Sequence, residues 1–382
     1  MKYILIAMLL LAGTSIYGQK KQLLNDEDRL NKYIPAHVSY FTFDGHRPMG
    51  KGWDNLDSMF AKNQFVAWGE YHNSPLLSQL TAYALESAAN YGYKNWCVEI
   101  GPYAASELMR ISRSKNPVDT VIKLYKAGYP HIGVFPFFSS REDARMLIAA
   151  NRFGYKIWGI DQEFQMSFPY YLSAIYKAQS PKFQELHKPL YDSLQAKWWY
   201  PGTMLLDSLS KMIRQKPYKT LIQAIKVSKE IYRNNDNQAR SALMKANFFK
   251  YYDAARKREK TFFKMGSNHL AKGMNLQTNL YDIGNAVYEL AQRNHTGFAN
   301  VYLMVRYTME NGKLVDDLLN DENENPRIFS KFYDKDRWVL IDLRQLKIKN
   351  DSTLPKDAYQ LIEKYDYVLI SPEILNVNSV GN

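Results

Sequence analysis

Short apolar runs alternate with helical patterns along most of this chain. The runs fall at residues 64–68, 95–100, 155–160, 261–265, 299–305, 338–343 and 367–370, each about the length of a buried strand. Such alternation predicts βαβ units and an α/β fold built on a mainly parallel central sheet with helices on both faces. The clearest unit is QFVAWGEYHNSPLLSQLTAYALESAAN, residues 64–90. Its apolar run is followed by Ser74 as a helix N-cap, Pro75 at the first helical position, and the stripe Leu77, Leu80, Ala84 and Ala88. Glu70 and His72 then sit in the strand-to-helix turn, at the sheet edge where ligands bind and a helix N-terminus offers donors. Taken alone, the pair also fits a capped turn with two solvated polar residues.

The later runs repeat this placement. The second ends in Glu99-Ile100-Gly101-Pro102 and leads into a helix over residues 104–113. Ser139 reads as an N-cap with Glu142 three residues on, the spacing of a capping box, ahead of the stripe Ala144, Leu147 and Ile148. The third run delivers Asp161, and the run at residues 261–265 delivers Ser267, Asn268 and His269. Residues 165–259 show no strand pattern and many apolar positions at helical spacing, which predicts a long helical insertion over the carboxyl edge of the sheet. Its aromatics, among them Tyr170, Tyr171, Trp198, Trp199 and Tyr200, suit either a flat-ringed ligand or ordinary helix packing. Arg240, Met244 and Asn247 share one face of the last insertion helix, where an arginine can hold a carboxylate bidentately.

Composition narrows the setting. With 382 residues, 46% of them hydrophobic, the chain can bury a large core. Residues 1–18 carry Lys2, an apolar run and small residues before Gln19, the layout of a cleaved signal peptide, so an exported, periplasmic or extracellular protein is expected. That run is too short for a membrane span, and no other stretch is long enough. Residues 19–63, punctuated by Pro35, Gly45, Pro48 and Gly50, read as a lead-in, with the main domain at residues 64–382. Cys97 is the single cysteine, which excludes an intramolecular disulfide and a cysteine metal cluster. The formal charge of +12 is spread through helices and interleaved with acids. No nucleic-acid motif accompanies it, so a solvated basic face is expected rather than a nucleic-acid partner.

A parallel sheet brings the exits of four runs to one edge, and with them Glu70, His72, Glu99, Asp161 and His269. Two imidazoles among carboxylates can activate water by general acid–base chemistry, with Arg240 countering negative charge. The same set can instead bind a divalent metal. Nucleophile-elbow, zinc-protease, dinucleotide and P-loop motifs are absent.

The segments GEYHNS, VEIG, SSREDARMLIAANRFGYKIWGID, ARSALMKANFF and SNH, in this order over residues 64–273, resemble the erythromycin esterase and ChaN-like superfamily, which includes Tiki-type proteases. The resemblance is closer on the esterase side. It implies an α/β fold with a helical insertion over the cleft and a hydrolase whose site histidine activates water against an ester. By position the catalytic residues are His72, Glu99 and His269, supported by Glu70, Asp161, Arg240 and Asn268. The spacing Gly69-Glu70-Tyr71-His72 is one residue shorter than the esterases' first motif and matches the ChaN-like haem-binding lipoproteins, and Ser267 stands where the esterases carry a further histidine. The expectation is a hydrolase of an ester or related acyl bond in a small-molecule substrate, without a cofactor. The alternative is a ChaN-like protein that binds haem or a divalent metal without turnover.

Overall fold

All seven apolar runs are strands in the computed structural model, which describes residues 32–128, 133–255, 258–316, 327–348 and 356–376. In chain order the first elements are β1 (Val38–Phe43), β2 (Pro48–Met49), α1 (Lys51–Lys62), β3 (Phe65–Glu70), α2 (Pro75–Asn90), β4 (Tyr93–Val98), α3 (Pro102–Ser112), α4 (Pro117–Ala127), α5 (Arg141–Arg152) and β5 (Lys156–Gly159). Six helices follow: α6 (Phe168–Lys177), α7 (Pro181–Leu186), α8 (Lys188–Ala196), α9 (Thr203–Met212), α10 (Lys216–Asn234) and α11 (Asn237–Ala254). The chain then re-enters the sheet through β6 (Lys260–Gly266), α12 (Ile283–Arg293), β7 (Phe298–Glu310), β8 (Lys313–Asp316), β9 (Trp338–Asp342), α13 (Arg344–Ile348), α14 (Lys356–Lys364) and β10 (Tyr367–Asn376).

The strands form one ten-stranded sheet in the order β2-β1-β9-β10-β7-β3-β6-β4-β5, with β8 folded back on β7. From β10 to β5 every neighbouring pair is parallel, while β9, β1 and β2 extend the other edge antiparallel. Side chains alternate across this sheet as a strand's period of two requires. Val66, Trp68, Trp96, Val98, Phe262 and Leu369 enter one core with α1, α2, α3 and α5. Phe65, Ala67, Cys97, Phe263 and Met265 pack on the opposite face with α11 and α12. The sheet is therefore covered on both faces, which is why its central strands read as continuous apolar runs rather than alternating ones.

Three local expectations change. The segment expected as a lead-in supplies, in its described part, β1, β2 and α1. Phe41, Trp53, Leu56 and Phe60 from it are buried in the main core. β2 is only two residues long, and β1 finds its partner β9 some 300 residues away, so local pattern did not reveal their place in the sheet. The cap of α5 is Ser140, not Ser139, and the box acid is Asp143, not Glu142: each side chain bonds the other residue's backbone N–H. Glu70 closes β3 rather than lying in the turn after it. The signal-peptide residues lie outside the described residues.

Between β5 and β6 the described residues are helical and contain no strand. Several of these helices start with proline in the first turn, where the missing N–H costs nothing. Asn235, left-handed at φ 48°, ends α10, and Asp236 caps α11 by accepting from the Ala239 N–H.

Candidate active site

Strand register assembles the site. Glu70 at the end of β3 stands opposite Gly266 at the end of β6, and Val98 at the end of β4 stands between Lys264 of β6 and Gly159 of β5. The next residues of the chain, Glu99, Asp161 and a single 3-10 turn at Ser267–Leu270, therefore emerge side by side. Ser74 caps α2 through the Leu77 N–H and fixes the turn that carries His72. Arg240 arrives from the first turn of α11. That helix is fastened to the end of β5 by Met244, fully buried, and by Asn247, whose amide donates to the Ile160 carbonyl at 2.9 Å.

Glu99 is the hub. Its Oε1 accepts from Arg240 at 2.7 Å and faces His269 Nε2 at 3.3 Å. Its Oε2 accepts from the Gly266 backbone N–H at 2.6 Å and lies 4.0 Å from His72 Nε2. Arg240 also grips Asp161 with two hydrogen bonds, at 2.9 and 2.5 Å, the bidentate geometry that its fork allows. His269 is held from behind by Asp282, 2.6 Å from Nδ1, and Asp282 in turn accepts from the Ser241 hydroxyl and the Ile283 N–H at the start of α12. His72 places Nδ1 3.3 Å from Glu70, whose other oxygen is bonded by the Lys264 ammonium. The imidazole of His72 lies flat against the Phe137 ring, with centroids 4.1 Å apart and planes 13° from parallel.

Burial and charge oppose each other throughout. Burial works to raise the Glu99 carboxyl, but His269, His72 and Arg240 outweigh it and hold it well below the carboxylate range. Glu70 is likewise lowered, because Lys264 and His72 overcome its burial. Burial would lower both histidines, yet Glu70 and Glu99 raise His72, while Glu99 and Asp282 push His269 up to about 10. His269 is thus an imidazolium at neutral pH. The side chain of His72 is 38% exposed, against 17% for His269 and 4% for Glu99, so His72 is the most exposed of the three.

Six of the seven residues singled out in the sequence, Glu70, His72, Glu99, Asp161, Arg240 and His269, form this connected network. Asn268 is half-buried on the same turn and makes no side-chain hydrogen bond among the described residues. Sequence reasoning missed Lys264, Asp282, Phe137 and the Gly266 N–H. Lys264 had a signal, since a charge inside an apolar strand needs a buried partner. Asp282 had a weaker one, as an acid directly before a helical stripe. Phe137 had none.

Beside the network, a cavity of about 800 Å³ opens between the start of α3 and helices α10 and α11. Tyr103, Asp161, Gln162, Glu163, Asn247 and Lys250 are among its lining residues. Glu163 accepts from the Tyr103 N–H at 2.6 Å, and burial pushes its carboxyl up to about 7. Of the insertion aromatics, Tyr171 is core, packed edge-on against Tyr103, whereas Trp199 and Tyr200 are exposed.

Both nitrogens of His269 face carboxylates, the Arg240 guanidinium bonds both Glu99 and Asp161, and no group of three His, Cys, Asp or Glu among the described residues is arranged to hold an ion.

No family model and no curated protein matches the sequence. Among solved structures the fold is similar to a succinoglycan biosynthesis protein, with a TM-score of 0.54 and 14% identity, covering 92% of this chain and 97% of that one. It is similar also to an erythromycin esterase mutant in its open conformation, with a TM-score of 0.54 and 15% identity, covering 86% and 95%. Haem-bound ChaN of Campylobacter jejuni aligns over 87% of this chain and 96% of its own at 12% identity, but its TM-score of 0.32 is too low to support an argument. The likeness to the esterase, foreseen from the motifs, is a likeness of fold.

Proposed function

We propose that this protein is a hydrolase in which His72 activates water against an ester or related acyl bond of a small molecule. The observation that carries the reading is the position of His72: the most open group of a network that is otherwise buried and saturated, with a carboxylate behind Nδ1. Glu70 and Glu99 raise His72, so its base form is populated on the alkaline side of its titration; in that form Glu70 favours the tautomer with the proton on Nδ1, and Nε2 accepts a proton from water. Water then attacks the acyl carbon, the ester C–O bond breaks, and the proton held on Nε2 passes to the departing alkoxide. His269 and Arg240 supply fixed positive charge for the developing oxyanion, and Glu99 holds both in place. His269 suits this electrostatic role better than proton donation, because two carboxylates retain its proton. The cavity bounded by Asp161 and Asn247 falls within the size range of small-molecule sites and would take the non-reacting part of the substrate, with the helices α6–α11 read as an insertion over that edge. The apolar stretch within residues 1–18 supports export.

The test is turnover on a panel of esters. His72→Ala and Glu99→Gln are each expected to lower kcat roughly 100-fold or more with an unchanged circular dichroism spectrum. Near-wild-type turnover in both variants would end the water-activation reading. A Soret shift with haemin, or stoichiometric metal in the purified protein, would favour a binding protein instead.

A further inference from the structure

We propose that Phe137 is a positioning residue for His72, clamping the imidazole in the plane that presents Nε2 to the site. The inference rests on reading His72 as the base. The Glu70 carboxylate 3.3 Å from Nδ1 attracts one edge of the imidazole but leaves the ring free to rock about that edge. The Phe137 ring, stacked at 4.1 Å, removes this freedom and shields one face from water.

The backbone supports a dedicated role. Phe137 has φ 62°, a left-handed conformation that disfavours any side chain with a Cβ by roughly 1–2 kcal/mol and that persists only where the surroundings impose it. Here they do. Phe135 and Phe138 on either side are buried, edge-on against Tyr170 and Trp96 respectively. The Val134 carbonyl accepts from the Ser167 hydroxyl, and the Ser139 N–H donates to Asp143 at 3.0 Å. Two aromatics of the run Phe135-Pro136-Phe137-Phe138 anchor the loop in the core, and the left-handed turn at the third lets its ring lie on His72. A packing residue would not need that strain, because an ordinary backbone could bury a third ring with its neighbours.

The charged groups facing His72 are Glu70 from β3, Glu99 beyond β4 and Lys264 from β6. With the ring held, both carboxylates act on it. With the ring loose, it samples water. The experiment is an NMR pH titration of the histidine ring protons, with the His72 signal among the seven histidines identified by its loss in His72→Ala. In Phe137→Leu, which keeps apolar bulk but no flat face, the His72 midpoint is expected to move toward the ordinary value of about 6.5. On any ester the wild type hydrolyses, kcat is expected to fall roughly ten-fold with KM within two-fold, since a misaligned base is penalised in the chemical step. Phe137→Tyr is expected to restore midpoint and kcat. A folded Phe137→Leu protein with the wild-type midpoint, or a Tyr variant that fails to restore it, would overturn the clamp. If His72→Ala kept turnover, the base assignment would fall while the titration still decided whether Phe137 sets the ring.

Discussion

His269 keeps its proton because Asp282 and Glu99 face its two ring nitrogens at 2.6 and 3.3 Å, and this makes one residue a lever on stability. Its folded value of about 10 lies above the unfolded value of 6.5, so its contribution is complete below pH 6.5 and is lost as the pH rises toward 10. Glu99 acts in the opposite sense: held well below its ordinary value, it contributes above about pH 4.5 and loses that contribution as the pH falls. Urea unfolding between pH 7 and 9.5 is expected to show the wild type losing stability with rising pH, and His269→Asn losing less over the same range. Parallel curves for the two proteins would refute this account. The spacing of histidines and acids along the chain showed which residues gather at the strand exits. It could not show that one imidazole is held as a cation between two carboxylates while the other is more exposed, because Asp282, the second carboxylate on His269, arrives from another part of the chain.

Each helix that presents a site residue depends on how its first turn is satisfied. Ser74, Asp236 and Asp282 cap α2, α11 and α12, and the Ser140–Asp143 box caps α5. Asp143 also accepts from the Ser78 hydroxyl at 2.7 Å and from the Ser139 N–H, so the α5 box ties the Phe137 loop to α2. Ser140→Ala is expected to cost about 1 kcal/mol in urea unfolding, the usual value of a lost N-cap. A loss below about 0.5 kcal/mol, the lower end of that range, would show that the cap is dispensable. Element type and order were legible in the sequence because strand and helix periods differ and the runs are strong. Capping was legible at Ser74, where proline follows directly, and was misplaced by one residue at Ser139-Ser140, where two serines and two acids satisfy the same spacing.

Across the molecule, the feature that couples sheet to site is the Lys264–Glu70 ion pair, with both side chains buried beneath His72. By alternation both point to the face that also carries Trp68 and Phe262, so neither charge can reach water without opening the core. Removing one partner leaves the other buried and uncompensated. Lys264→Met is therefore expected to cost about 3–5 kcal/mol, and Lys264→Met combined with Glu70→Met to recover much of that in thermal unfolding without recovering turnover. A single variant as stable as the wild type would mean that Glu70 is neutral in the fold. Seven of the ten strands, their parallel majority, the helical stretch before β6 and the carboxylates and imidazoles at strand exits were determined by sequence periodicity and residue chemistry, because both are local. The edge strands β1, β2 and β8, the pairing of Lys264 with Glu70 and of Asp282 with His269, and the stacking of Phe137 on His72 were decided only by tertiary structure. Each depends on a register or a contact between segments far apart in the chain, and no local pattern encodes which distant side chain will arrive there.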